Sequence, residues 1–455
     1  LRHPIVFRFS LAGATLVSVA AIVSAPTEAA AARRFSLAGN VLIEDQDDVF
    51  AFPQLATKYA RSIGFDYGTA SNAGNATLLM GDTYQAWGVT LHRGDAVTPW
   101  QLRTDGDKSY LSGYGSTVGT AVQQPDVGAP ASPGGGDGVP VPAGDGNGDG
   151  GDTSGDGAAL PEGLEGGSFG QTASGPKTMI DAIYASANPG NTAWGLRLTL
   201  GSDKTFLDPK ASGAKESFQS EHFLAATFGY SDYSGDLDWD GAATLLVGMA
   251  GVTANGKEAQ SASRYELTAN FRGTMPLAGE KDTRLGLIGH ARYGTATIEP
   301  KGAGSNAADD LHLMGGAGPV VKVTDRITVS AYGVLGVMRQ THDPDSKEKG
   351  DLDGRLAILF PGFNFATEIQ IRDWFFFRSG AEYTYQFRIQ DYGTPPAGFE
   401  ASDRQDSFVW NTGVGFVFGD LHLDGALSHQ FITEGPDFIG GDSPLFGMVS
   451  ASAKF

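Results

Sequence analysis

Cysteine is absent from the chain. That removes disulfides, thiolate metal sites and cysteine nucleophiles, and leaves the redox compartment open. Basic residues are few: 32 Lys and Arg stand against 52 Asp and Glu, for a formal net charge of −20. This balance speaks against a nucleic-acid partner. Long apolar runs are also missing. Past the first 30 residues, none approaches the roughly 18 apolar residues that a membrane helix needs. A helical membrane protein is therefore excluded. A transmembrane β-barrel is not, because only every second residue of its strands must be apolar. What the chain has in excess is glycine, 65 of 455 residues, about twice the average usage.

The N-terminus reads as a secretory signal over residues 1–32. Arg2 and Arg8 give a basic start, Leu11 to Ala25 an apolar core, and Pro26 with Ala29 to Ala32 the break and small-residue cleavage site. Cleavage is expected near Ala30 or Ala32. Residues 33–60 form a mixed segment, in which IEDQDDVFAFPQLATKYA predicts a short helix capped by Asp47 or Asp48. This segment is a candidate plug. Residues 61–455 read as strands, interrupted by a polar stretch at 94–176 rich in Gly, Pro and Asp. That stretch buries too little apolar surface to fold alone and reads as a flexible loop.

Alternation carries the fold assignment. In FRSGAEYTYQFRI (377–389), Phe377, Ala381, Tyr383, Tyr385, Phe387 and Ile389 share one face. Arg378, Glu382, Thr384, Gln386 and Arg388 share the other. The same period sets Tyr265, Leu267, Ala269 and Phe271 against Glu266, Thr268, Asn270 and Arg272. It also sets Trp194, Leu196, Leu198 and Leu200 against Arg197 and Thr199. A soluble antiparallel sandwich also alternates. However, tight turns near Thr324–Arg326, Arg372–Trp374 and Gly419–Asp420 alternate with longer polar stretches at 299–309, 340–354, 390–406 and 431–444. A barrel with short periplasmic turns and long outer loops explains that pattern, and a sandwich does not. The expected fold is all-β: an antiparallel up-and-down barrel of about 16 strands, or 14 if the shortest early strands do not span. AWGVTLHRGD (86–95) and AWGLRLTLGSD (193–203) then resemble each other as two upward strands of one design.

LFGMVSASAKF alternates and ends in Phe455. It resembles the C-terminal recognition signal of Gram-negative outer-membrane β-barrels, as EIQIRDWFFFRSGAEY resembles a hairpin recurring in such proteins. The segment DDVFAFPQLA resembles, weakly, the N-terminal region of the long-chain fatty-acid transporters of that membrane, without their Asn-Pro pairing. The resemblance implies an outer-membrane location, a lipid surround and handling of the last strand by the barrel-assembly machinery. A homo-oligomer is open, since no interface is readable.

Parity assigns a pore-lining set: Arg197, Glu266, Arg272, Arg284, Arg292, Lys322, Glu368, Arg372, Arg378, Glu382, Arg388 and Asp424. The face leans basic, so two readings stand: a water-filled lumen with a mild anion preference, or charges that pair across neighbouring strands. One such pair is predicted, Glu368 opposite Arg378. Trp374, Phe375, Phe408, Trp410 and Phe455 are candidates for interfacial aromatic girdles.

Other motifs carry less. Asp145, Asn147, Asp149, Gly150 and Asp156 fit part of a calcium loop, but Asp replaces the closing Glu and no helices flank it. GVTANGKE (251–258) nearly matches a phosphate-binding loop, but lies on a strand and lacks the final Ser or Thr. His290 and His422 face inward, and no His spacing suggests a metal site. No cofactor is implied. The function expected is a pore or transporter for passive diffusion of small solutes. The alternatives are a surface-exposed structural or adhesive barrel with a plugged lumen, and a barrel hydrolase; the chain is otherwise expected not to be an enzyme.

Overall fold

The computed structural model describes residues 31–68, 73–93, 178–206, 218–254, 257–277, 282–301, 306–344, 351–393, 399–427 and 446–455. Sixteen strands follow one another: β1 Ser62–Gly68, β2 Ala73–Gly81, β3 Gln85–Arg93, β4 Thr178–Asn188, β5 Thr192–Phe206, β6 Phe218–Asp232, β7 Asp238–Ala254 and β8 Lys257–Pro276. Then come β9 Thr283–Pro300, β10 Asn306–Thr324, β11 Ile327–Pro344, β12 Asp351–Arg372, β13 Phe375–Gly393, β14 Phe399–Phe418, β15 Leu421–Leu427 and β16 Phe446–Lys454. Each pairs with its sequence neighbours, and β1 closes on β16 from Ser62↔Lys454 to Gly68↔Met448. Sixteen strands are what the alternation predicted, so the smaller count is set aside. The expected signal at 1–32 lies largely outside the described residues, as do the loop 94–176 and the Asp145–Asp156 segment.

Lipid offers no partner to a backbone amide or carbonyl, and each unsatisfied group costs several kcal/mol. Closure removes the edges where such groups would be left. Lipid-facing positions carry Leu196, Leu198, Leu200, Leu245, Tyr265, Leu267, Leu335 and Phe363, all exposed. Inward positions on the same strands carry Arg197, Thr199, Thr244, Glu266 and Thr268, all buried.

Aromatic rings band the turn-side end of the wall. Tyr184 lies tilted against Trp194 (5.4 Å) and Tyr230 against Trp239 (5.6 Å), and Trp239 stacks near Phe271 (6.2 Å). Trp374, Phe375 and Phe416 cluster farther around. Trp87 and Trp194 each follow a turn-side connection, which accounts for the likeness of 86–95 and 193–203. Phe408 and Trp410 lie higher on β14 and face outward. An even-stranded closed barrel, apolar outside between aromatic bands, is the outer-membrane architecture; the chain is an outer-membrane β-barrel.

One expectation is corrected. The alternation of connection lengths predicts long loops at 299–309, 340–354 and 390–406. They are mostly strand, and the connections shrink to 301–305, 345–350 and 394–398. Polar residues there continue the hydrogen-bonded ladder without an alternating pattern to reveal them. The asymmetry between the two ends lies in strand height as much as in loop length.

Replacing Leu245, seven residues above the start of β7 and fully lipid-facing, tests the outward assignment. Leu245→Arg is expected to destabilise the folded barrel by about 2–4 kcal/mol, read from urea unfolding in phospholipid vesicles. A change at the inward neighbour Thr244→Ser should be small by comparison.

Candidate functional site: the lumen and its N-terminal plug

Residues 31–60 fold inside the barrel, in the half nearest the tight turns. They form helix α1 (Ala31–Ser36), helix α2 (Asp48–Ala51) and a 3-10 turn at Pro53–Thr57. The expected helix near Asp47 or Asp48 is present, with Asp47 at the N-cap position, but its side chain makes no capping bond. Helix α1 lies across the boundary expected for cleavage, where no helix was predicted.

The chain reverses after α1 through Ala38 and Gly39, both at positive φ. Asn40 then holds the reversal. Its Oδ1 accepts from the amides of Leu42 (3.1 Å) and Ile43 (3.2 Å), while its Nδ2 donates to Asn364 Oδ1 (2.7 Å). Asn364 in turn donates to the Ala38 carbonyl (2.9 Å). One asparagine from the plug and one from the wall therefore satisfy each other and the intervening backbone.

The wall is recessed where the plug sits. A Cβ on Gly380 would overlap the Leu37 backbone, one on Gly195 the Pro53–Gln54 peptide, and one on Gly229 the Gln54 side chain. Gly413 and Gly286 stand in the same relation to Ser36 and Leu42. All five are inward positions a few residues above the turns. Here glycine supplies close approach of two chains, which helps account for its abundance.

Two ion pairs and one charged hydrogen bond to backbone fasten the plug. Arg33 grips Glu368 with two bonds (2.9 and 3.1 Å), and Glu368 also accepts from Arg378 Nε (2.5 Å). Arg378 continues to Asp424, completing a chain of alternating charge from plug to wall. Asp48 of α2 binds Arg34 and Arg272, and Arg272 also donates to Asp240 (2.7 Å) and to the Val41 carbonyl (3.2 Å). Arg197 donates to the Phe50 carbonyl, while Asp181 nearby holds His92 (2.8 Å). Burial raises the cost of ionising Asp48, but Arg272 and Arg34 outweigh it and hold that carboxyl below its usual range. Asp47 has the opposite fate: burial, then Asp66 and Asp45, push it well above.

Toward the outer end the lumen carries a second cluster. Glu266 accepts from Arg264 (2.5 Å) and Thr268 (3.0 Å) and pairs with Arg292 (3.1 Å). Arg292 reaches Asp310 (3.3 Å), which also meets His312 (2.8 Å).

Of the pore-lining set, Arg197, Glu266, Arg272, Arg378, Glu382, Arg388 and Asp424 are buried inward positions. Arg292 and Glu368 are nearly so, and Arg284 pairs with Asp238 near a turn. Lys322 and Arg372 are exposed at the turn-side rim. The predicted Glu368↔Arg378 pair is in register. The structure brings most of these charges together as pairs, the second of the two readings weighed for this face. His422 is buried; His290 faces inward and bonds Asn270 (2.8 Å). Alternation missed the plug's own residues, Arg33, Asp45, Asp48 and Gln54. The signal that could have found them was the clustering of inward glycines near the turns.

No family model matches the chain, and no curated protein matches it. Among solved structures it is similar to the ferric yersiniabactin uptake receptor of Yersinia pestis, at 9% identity over 80% of this chain and 67% of that one, TM-score 0.33. It is similar to an iron transporter of Neisseria meningitidis, at 10% identity over 81% of this chain, TM-score 0.38. The match spans 60% of that transporter's length. The toluene transporter of Pseudomonas putida aligns at 12% identity over 61% of this chain and 83% of its own, TM-score 0.30. At these values the fold rests on the strand pairing of this chain.

Two predictions follow from the ionic contacts. Glu368→Ala leaves Arg33 and Arg378 buried without their shared acceptor, and should weaken plug seating by about 3–5 kcal/mol. The readout is proteolysis of residues 31–60 in a barrel that keeps its heat-dependent electrophoretic shift. Asp47, whose carboxyl is raised when seated, stabilises seating at acidic pH and loses that contribution as pH rises through its seated value. Asp47→Asn should therefore tighten seating at neutral pH and change little below about pH 4, in the same assay.

Proposed function

We propose that the protein is an outer-membrane transporter that passes small solutes by passive diffusion, and that residues 31–60 control its lumen. The observation that supports this most directly is the seating of that segment in glycine recesses of a closed 16-stranded wall. A barrel of this size leaves an aqueous channel when its interior is free. Here the turn-side half is filled by a segment held by ionic contacts and by an apolar cluster in which Val49, Phe50, Phe52 and Leu55 join Leu79, Met179, Ile183 and Phe223 of the wall.

Selectivity in this reading depends first on size. Arg272, Arg292 and Arg378 are matched by carboxylates, so their far field is small. A mild anion preference falls to the exposed bases Lys322 and Arg372 at the periplasmic rim. Diffusion involves no covalent step, and we assign no enzymatic role. The surrounding partners proposed are outer-membrane lipid on the apolar face, small solutes in the lumen, and the assembly machinery at the strand ending in Phe455. A homo-oligomer is compatible with this arrangement.

Planar-bilayer conductance tests the proposal. The intact protein should be mostly silent, with brief small openings. Gly380→Val, which the Leu37 backbone cannot accommodate, should give long open steps, and removal of residues 33–60 should give stable larger ones. Silence in both altered proteins, each still showing the heat-dependent shift of a folded barrel, would favour a closed structural barrel and overturn the transport reading.

A further inference from the structure

The first described residues of the plug enter the lumen in an unusual way. Ala32 is completely buried, packed with Ala426 and Met448. Its backbone nitrogen donates to Ser450 Oγ at 2.8 Å. Ser450 is the direct cross-strand partner of Asp424. Both face inward, and side chains paired in this way have Cβ atoms only about 4.5–5.5 Å apart. Asp424 uses Oδ1 for Arg378, while its Oδ2 is buried with no hydrogen-bond partner. A buried carboxylate oxygen left unmatched is costly. A cationic donor beside Ser450 would satisfy it.

The sequence offers such a donor. A small residue is needed three positions before a signal cleavage bond and immediately before it. Ala29 and Ala31 meet that requirement for the bond between Ala31 and Ala32, and Ala30 and Ala32 meet it one residue later, whereas Glu28 spoils it for a cut after Ala30; only the first makes the Ala32 nitrogen the new terminus. Hydrolysis there adds one water across the amide. Ala31 leaves with the carboxylate, and the Ala32 nitrogen becomes a primary ammonium. That nitrogen is the atom already placed on Ser450 Oγ.

We propose that the Ala31–Ala32 bond is the processing site, and that the new α-ammonium of Ala32 is a built-in ligand of the lumen, bound by Ser450 Oγ and Asp424 Oδ2. An amide nitrogen has one proton to give. An ammonium has three and carries charge, so it can serve both acceptors at once with charge-assisted bonds. Maturation and plug seating are thereby coupled, because the last contact of the plug forms only on the processed chain.

The test uses mature protein purified from outer membranes. Intact mass and N-terminal sequencing should give Ala32 as the first residue. An amine-reactive label applied to the folded barrel near neutral pH should leave the Ala32 α-amine at least about tenfold less modified than in the heat-unfolded protein, mapped by mass spectrometry. Ser450→Ala and Asp424→Asn should each restore much of that reactivity. Ser450→Ala leaves the Arg378–Asp424 pair intact, so it reports on the site even if Asp424→Asn fails to fold. A different first residue would overturn the proposal, as would an α-amine equally reactive in folded and unfolded protein. Neither readout depends on conductance, so the proposal stands or falls separately from the transport reading.

Discussion

Every feature of this molecule is subordinate to one constraint: inside a bilayer the backbone must find all its hydrogen-bond partners within the protein. The sixteen strands meet it by joining β1 to β16, so that each described strand pairs on both sides. Closure then divides each strand into two chemical worlds one residue apart. The outward world is lipid, and it takes leucine and aromatic rings. The inward world is a cavity, and burial there away from bulk water imposes a second requirement, that charges enclosed in it be matched.

The plug answers that second requirement. Arg33 and Asp48 are not incidental surface charges that happen to touch the wall; each completes a chain whose other members, Glu368 with Arg378 and Arg272 with Asp240, belong to strands. The wall's own balance is thus written partly in residues 31–60. Shape is shared in the same way. Gly195, Gly229 and Gly380 are small because Gln54 and Leu37 occupy the space that a side chain would need. Charge and volume together make the lumen and the plug one packed unit, while the outer cluster around Glu266 lies apart from these contacts.

The barrel was legible because alternation is a local signal, repeated in strand after strand. FRSGAEYTYQFRI alone sorts its residues correctly, and the register of Glu368 with Arg378 followed from a short turn. The far strand ends were not legible, since 340–354 and 390–406 pair without an apolar–polar alternation in sequence. The lumen was only half readable. Parity placed Arg272 and Arg378 inside, but their partners Asp48 and Arg33 come from distant sequence. The contact of Gln54 with Gly229 across 174 intervening positions has no local signature either.

The junction between plug and wall sets how the plug can move. Ser62 is the first rung of β1, yet its hydroxyl donates to the Tyr59 carbonyl (2.6 Å) and accepts from Gln46 (3.2 Å). Arg61, at a positive φ of 65°, is the joint between them, and its carbonyl already accepts from the amide of Phe455 (2.9 Å). A dislodged segment therefore remains leashed to the rim of its own cavity. Its return is a first-order event at a fixed, high effective concentration, so how long any opening lasts is an intrinsic property of a single molecule and does not vary with how much protein the membrane holds.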